Sequence, residues 1–380
     1  MSDPMHSCDA VIIGAGPAGV SVALSLKDRG LRPVLVDRAD RVGASWSSRY
    51  DRLKLNTGRQ FSHLPGRPFP PGTPLFPTRD DLVDHLERHA HEDGIDILLN
   101  TAVTRIDRNR GGWRLTTSDG DLNASQVVVA TGYLHTPVVP QWPGTFSGDV
   151  IHSSQYRNPT PFAGTRVLVV GSGSSGMEIA YDLSIGAAAT VWLSVRTPPN
   201  LLPRNGPVGL PNDVISIPLY HLPARIADRV AASARRQAFG DLSAFGLPLP
   251  AEGPFARAHR LQVAPSILDA EVMQAVRDKT VEIVSAVSAF DHDHVVLCDG
   301  SRIPADTVIC ATGYHPNLAE LVGHLGVLTP DGLPTAQAPT PTAKGLYFHG
   351  LLSRPSLIGY VGRQSRVLAR RICAEASRHP

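Results

Sequence analysis

The chain has 380 residues, more than one hydrophobic core usually organises, so two domains or one domain with a large insertion are expected. Hydrophobic residues make up 42% and charged residues 18%, with a mean hydropathy of -0.05, which excludes a disordered or fibrous chain. A net charge of +2 without a long basic run excludes a nucleic-acid footprint, and four isolated cysteines, Cys8, Cys298, Cys310 and Cys373, offer neither a C-x-x-C pair nor zinc-ligand spacing.

The first apolar run, AVII at 10–13, follows a short polar lead with no signal-peptide core, and no later run is long enough to span a bilayer, so a cytoplasmic enzyme is expected. Residues 8–19, CDAVIIGAGPAG, read as a buried strand entering a glycine turn. Helical apolar spacing from Val20 to Arg29 and the strand LRPVLVD complete a β-α-β unit. In Gly14-Ala15-Gly16-Pro17-Ala18-Gly19 the first glycine makes the tight turn, the second admits a pyrophosphate and the third lets helix pack on strand. Asp37, ending the second strand, is placed to bind ribose hydroxyls. FAD and NAD fit this unit equally well.

Further along, His85 and His89 share helical i, i+4 spacing but lack an H-E-x-x-H frame or third ligand, and read as a solvated face near Asp81, Asp84 and Glu87. WRLTTSDGDLNASQVVVATGY at 113–133 reads as strand, Asp-Gly turn, strand, and HVVLCDGSRIPADTVICATGY at 294–314 repeats that grammar. Between them, RVLVVGSGSSG at 166–176 opens a second β-α-β unit with Gly171, Gly173 and Gly176. Its following strand ends in Arg196 instead of an acid, which suits a 2'-phosphate and hence NADPH. Residues 197–265 are rich in proline and glycine at both ends, with Ile215, Leu219, Leu222, Ile226 and Val230 at helical spacing, and read as a partly helical cap. Asp291-His292-Asp293-His294 reads as an exposed turn, and GLYFHG at 345–350 as a last strand. No metal site is expected. Two nucleotide units in one polypeptide point to a bound flavin reduced by an exchanging nicotinamide.

Segment 146–156, with Phe146, Gly148, His152 and Tyr156, resembles the F-x-G-x-x-x-H-x-x-x-(F/Y) fingerprint of class B flavin-containing monooxygenases, and lies between the two glycine loops as in that family. Gly43, Trp46, Asn56 within LKLNT, and the DTVICATGY run at 306–314 extend the resemblance, and LLPR at 201–204 with GDLSAFGLPLP at 240–250 is similar to the YUCCA-type branch and its bacterial relatives. The Baeyer-Villiger branch usually ends the fingerprint with tryptophan, where this chain has Tyr156-Arg157.

The resemblance implies FAD held by Gly14, Gly16, Gly19, Asp37 and Trp46, and NADPH held by Gly171, Gly173, Gly176 and Arg196. It implies a C4a-(hydro)peroxyflavin, helped by Asn56, that inserts one oxygen atom into a small organic substrate. The reaction would be amine or thioether oxygenation, or oxidative decarboxylation of a 2-oxo acid. His152 and Tyr156 are expected to organise structure. The expected fold is α/β with two Rossmann-like domains: a discontinuous FAD-binding domain, 1–155 and 306–380, and an inserted NADPH-binding domain, 156–305, that carries the cap. A non-oxygenating FAD/NAD(P)H oxidoreductase and a flavin-binding redox sensor are the alternative readings.

Overall fold

Two sheets of the same construction organise the chain. The computed structural model describes residues 8–206, 209–261, 264–351 and 357–376, so 207–208 and 262–263 of the cap, together with 1–7, 352–356 and 377–380, lie outside the described residues. One unit comprises Met1–Ser48, Gly58–Thr136 and His315–Pro380; the other comprises Arg49–Thr57 and Pro137–Tyr314.

In the first unit a wholly parallel sheet runs in the order Leu346–Phe348, Val127–Val129, Ala10–Ile13, Pro33–Val36, Asp96–Leu98, with Ile12 opposite both Leu35 and Val128. The apolar runs AVII and VVV lack the alternation of a half-solvated strand, because both faces of this sheet are covered. Helix Pro17–Lys27 starts with proline, whose missing N–H is not needed there, and buries Val20, Val22, Leu24 and Leu26. It packs on the C-terminal helix Leu357–Ala376. Helix Arg79–Glu92 opens with a capping box between Thr78 and Asp81. An antiparallel meander, Val103–Asn109, Gly112–Thr117 and Gly120–Ala124, carries the first Asp-Gly turn.

In the second unit the order is Glu282–Val284, Thr190–Ser194, Arg166–Val170, Thr307–Cys310, Asp149–His152, again all parallel. Three short antiparallel strands, Val287–Asp291, His294–Leu297 and Arg302–Ile303, form its hairpins, with His292 and Asp293 in the exposed turn between the first two.

Three expectations are corrected here. The boundaries at 155/156 and 305/306 misplace two strands: Asp149–His152 and Thr307–Cys310 pair with each other and extend the second sheet from Arg166–Val170. A strand's partners are not written in its own residues. The helical spacing from Ile215 to Val230 is not one stripe, because Pro223 separates helix Asp213–Tyr220 from helix Ala224–Phe239. The latter helix buries Ala227, Ala231, Arg235 and Phe239 and leaves Ile226 50% and Val230 41% exposed. Finally, His85 is not solvated: it is buried and stacks on Phe69 at 4.2 Å.

Burial pushes His85 and His349 down to about 4 from 6.5. Between those values the unfolded chain binds more protons than the folded one. Stability is therefore complete above about pH 6.5 and falls as pH drops toward 4, by up to about 3 kcal/mol per histidine. Urea unfolding at pH 7 and pH 4.5 checks this; an unchanged midpoint contradicts it.

Candidate functional site

At the end of the first strand Gly14 donates its N–H to the Val36 carbonyl at 2.7 Å and holds φ +109°, a conformation that side chains resist. A Cβ on Gly14 would stand 2.6 Å from the Ala130 carbonyl oxygen, and one on Gly19 would stand 1.8 Å from the Gly14 carbonyl oxygen. The protein itself therefore demands both outer glycines. Gly16 differs: its nearest neighbour would be Ser45 Oγ at 3.9 Å, and it caps helix Pro17–Lys27 in extended conformation with no side-chain cap. The helix thus presents its first amides, and its positive dipole end, to open space. Asp37 accepts from Ala15 N–H at 2.6 Å and from Ala39 N–H at 2.8 Å, which fixes its carboxylate against this loop. Gly43 donates to the Ala15 carbonyl at 2.9 Å and begins the short helix Ala44–Ser47 that carries Trp46.

The second unit repeats the device. Gly171, at φ +117°, donates to the Ser194 carbonyl at 3.1 Å; its Cβ would meet the Ala311 carbonyl oxygen at 2.5 Å, and that of Gly176 the Gly171 carbonyl oxygen at 1.9 Å. A Cβ on Gly173 would meet nothing within 4 Å. In each loop the protein leaves clear the one position where a pyrophosphate must approach backbone, which is the fit a dinucleotide requires.

The two loops differ at the ribose end. Asp37 directly follows Val36, whose carbonyl receives Gly14; the residue directly following Ser194 is Val195, and Arg196 comes one later, exposed. The strand ends at Ser194, not at Arg196 as its residues suggest, so Arg196 does not itself stand in the acid's position. The acid's place is taken by valine, which removes a charge that would repel phosphate, and a guanidinium stands next to it.

The fingerprint residues are all absorbed by the second unit's own construction. Phe146 stacks on Phe290 at 5.0 Å, and a Cβ on Gly148 would stand 2.2 Å from the Asp306 carbonyl oxygen. His152 Nε2 lies 3.1 Å from the Gly313 carbonyl, and the Tyr156 hydroxyl donates to Asp182 at 2.8 Å. Burial pushes the Tyr156 phenol up and the His152 imidazole down, so both are neutral at pH 7. Tyr156→Phe is expected to cost about 2 kcal/mol in stability, since a buried carboxylate loses its donor. The Michaelis constant for NADPH, measured alongside urea unfolding, should stay unchanged.

Asn56 lies in the stretch 49–57 that belongs to the second unit, half-buried, and among the described residues its side-chain amide makes no hydrogen bond. Sequence reasoning missed what surrounds this stretch. Arg204, with its side chain only 3% exposed, pairs with Glu178 at 2.5 Å and Asp269 at 3.0 Å. LLPR had stood out as a branch marker, but nothing in its spacing announces a buried arginine. Among the described residues no group of three or more His, Cys, Asp or Glu side chains can hold a metal, and no helix is long and apolar enough to cross a membrane.

Comparison with known proteins agrees with this architecture. Residues 11–200 match the pyridine nucleotide-disulphide oxidoreductase family. A probable indole-3-pyruvate monooxygenase, YUCCA9 of Arabidopsis thaliana, is 36% identical over 92% of this chain and 85% of its own length. Among solved structures, a mutant flavin monooxygenase from Stenotrophomonas maltophilia superposes with a TM-score of 0.74 at 24% identity, covering 98% of this chain and all (100%) of its own. Cyclohexanone monooxygenase in an open form gives 0.73 at 21% identity, covering 99% and 89%. These last two likenesses speak for the fold, while the YUCCA relative fixes the family: the chain belongs to the class B flavin-containing monooxygenases, in their YUCCA-like branch, and is a flavoprotein monooxygenase.

Proposed function

We propose that the first unit holds FAD and the second NADPH, and that the enzyme inserts one oxygen atom of O2 into a small 2-oxo acid. The observation that carries the reading is the pair of glycine loops, each cleared at its middle glycine, with a carboxylate beside one and an arginine beside the other. Bound FAD, taking its electrons from NADPH, would supply the redox chemistry that brings one atom of O2 to the substrate. Gly14 and Gly19 shape the first cradle, Gly16 admits the pyrophosphate, Asp37 receives ribose hydroxyls and Trp46 borders the site. Gly171, Gly173 and Gly176 do the same for NADPH, and Arg196 pairs with its 2'-phosphate. Asn56 offers an uncommitted amide to the reacting oxygen, a donor that does not surrender its proton.

The 2-oxo acid class is favoured by the relative named for indole-3-pyruvate. The balance is a 2-oxo acid, O2, NADPH and a proton giving the acid one carbon shorter, CO2, water and NADP+. The test reduces the flavoprotein anaerobically with NADPH, then admits 18O2 with indole-3-pyruvate, phenylpyruvate, a tertiary amine or a thioether. One 18O in the shortened acid, formed equally when catalase is present to remove free peroxide, supports the reading. Label only in an N- or S-oxide moves the enzyme to heteroatom oxygenation, and stoichiometric peroxide with every substrate makes it a non-oxygenating oxidoreductase.

A further inference from the structure

The chain enters the second unit for nine residues, Arg49–Thr57, and returns to the first unit at Gly58. No helix or strand lies within this excursion, so the bonds it receives decide where Asn56 stands. Its start is held by Asp51, which donates its N–H to the Arg157 carbonyl at 2.8 Å, and by Arg49, which donates to the Tyr314 hydroxyl at 2.7 Å. Toward its end, where Lys54 also forms a β-bridge, a buried side chain grips the backbone. Arg204 Nη1 donates to the carbonyls of Leu55 at 2.6 Å and Lys54 at 3.1 Å, the two residues before Asn56.

The rest of the guanidinium is locked in turn. Nη2 donates to Glu178 Oε1 at 2.5 Å and Nε to Asp269 Oδ1 at 3.0 Å. Glu178 Oε2 accepts from the Tyr50 hydroxyl at 2.5 Å, so the same carboxylate is gripped by the excursion and by the arginine that carries it. Asp269 sits at the N-cap of helix Ala270–Arg277 but makes no capping bond there, its carboxylate being engaged by Arg204. Burial beside Glu178 pushes the Tyr50 phenol well up, so it remains a donor.

A buried ion pair serving stability alone is complete with two carboxylates and an arginine. This one extends to two backbone carbonyls next to a half-buried amide that has no partner among the described residues. We infer that Arg204, Glu178 and Tyr50 are positioning residues for the monooxygenase reaction, which hold the Lys54–Leu55 backbone so that the Asn56 amide keeps a fixed place. The inference rests on the role proposed above for Asn56. A planar fork is required, because a lysine ammonium cannot span two carbonyls and two carboxylates at once.

The test compares the FAD-bound wild type with Tyr50→Phe, which removes one hydroxyl, and with Arg204→Lys, which keeps the charge opposite Glu178. Two quantities are read: amide hydrogen exchange of peptides covering 49–57, with peptides covering 10–27 as internal control, and the fraction of NADPH electrons lost as peroxide with substrate present. That fraction is a ratio, so the amount of folded enzyme cancels. Both variants should speed exchange in 49–57 about tenfold, with 10–27 unchanged, because only a local opening is eased. Both should raise the peroxide fraction, and in an Asn56→Ala background Tyr50→Phe should raise exchange again but peroxide no further, since the two act through one group.

Unchanged exchange in 49–57 overturns the inference outright. Faster exchange with an unchanged peroxide fraction, when Asn56→Ala alone raises it, also overturns it and leaves the network a structural support. If Asn56→Ala itself leaves the peroxide fraction unchanged, the role of Asn56 falls, and the positioning role falls with it.

Discussion

Gly16→Val is expected to yield a folded protein that loses its yellow colour on purification. The Cβ enters space that the protein does not use: the nearest atom to it is Ser45 Oγ at 3.9 Å, and φ of -84° suits any residue. Replacing a glycine N-cap costs less than about 1 kcal/mol of helix stability. The bound pyrophosphate, in contrast, loses its approach to the first amides of helix Pro17–Lys27, and displacement by a methyl or two is expected to weaken FAD by about 3 kcal/mol, or ~100-fold in Kd. Gly19→Ala is the control of opposite kind, since its Cβ at 1.8 Å from the Gly14 carbonyl oxygen forces strand and helix apart, and the chain should unfold with or without flavin. Flavin absorbance per polypeptide and circular-dichroism melting separate the two. Full flavin content in Gly16→Val would remove this loop from the cofactor site.

That contrast marks how far sequence carried the site. Within G-x-G-x-x-G the sequence assigns the tight turn to Gly14, the pyrophosphate's approach to Gly16 and helix packing to Gly19, without showing which atoms set each demand. In the fold a Cβ on Gly14 would meet the Ala130 carbonyl, so the chain itself demands Gly14, whereas no atom of the chain crowds a Cβ at Gly16. The strands and helices of both β-α-β units were legible because their signal is local: AVII, RVLVV and the glycine turns carry apolar period, breaker and helix start within a dozen residues. What stayed hidden depends on partners far along the chain. The pairing of Thr307–Cys310 with Arg166–Val170, the burial of His85 against Phe69, and the burial of Arg204 among Glu178, Asp269 and the 54–55 carbonyls each join segments whose own residues show no period pointing at the other. A charged residue written after a proline reads as surface until a structure supplies its counter-charges.

Arg196→Ala should raise the Michaelis constant for NADPH about thirtyfold and that for NADH less than about twofold, because a charge-assisted pair to the 2'-phosphate is worth roughly 2 kcal/mol and NADH has no such phosphate. The structure adds a sharper variant than loss of a cation. Since Val195 occupies the place that Asp37 holds in the first unit, Val195→Asp puts a carboxylate where a ribose acceptor belongs. It should repel the 2'-phosphate of NADPH and accept the free 2'-hydroxyl of NADH, so that Val195→Asp combined with Arg196→Ala inverts the preference instead of merely weakening it. Initial rates of flavin reduction under anaerobic conditions with each nicotinamide read this directly, free of any effect on oxygen or substrate. Equal losses for both nicotinamides in Arg196→Ala would place the adenosine end elsewhere. A double variant that still prefers NADPH would show that Val195 and Asp37 are alike in the backbone only.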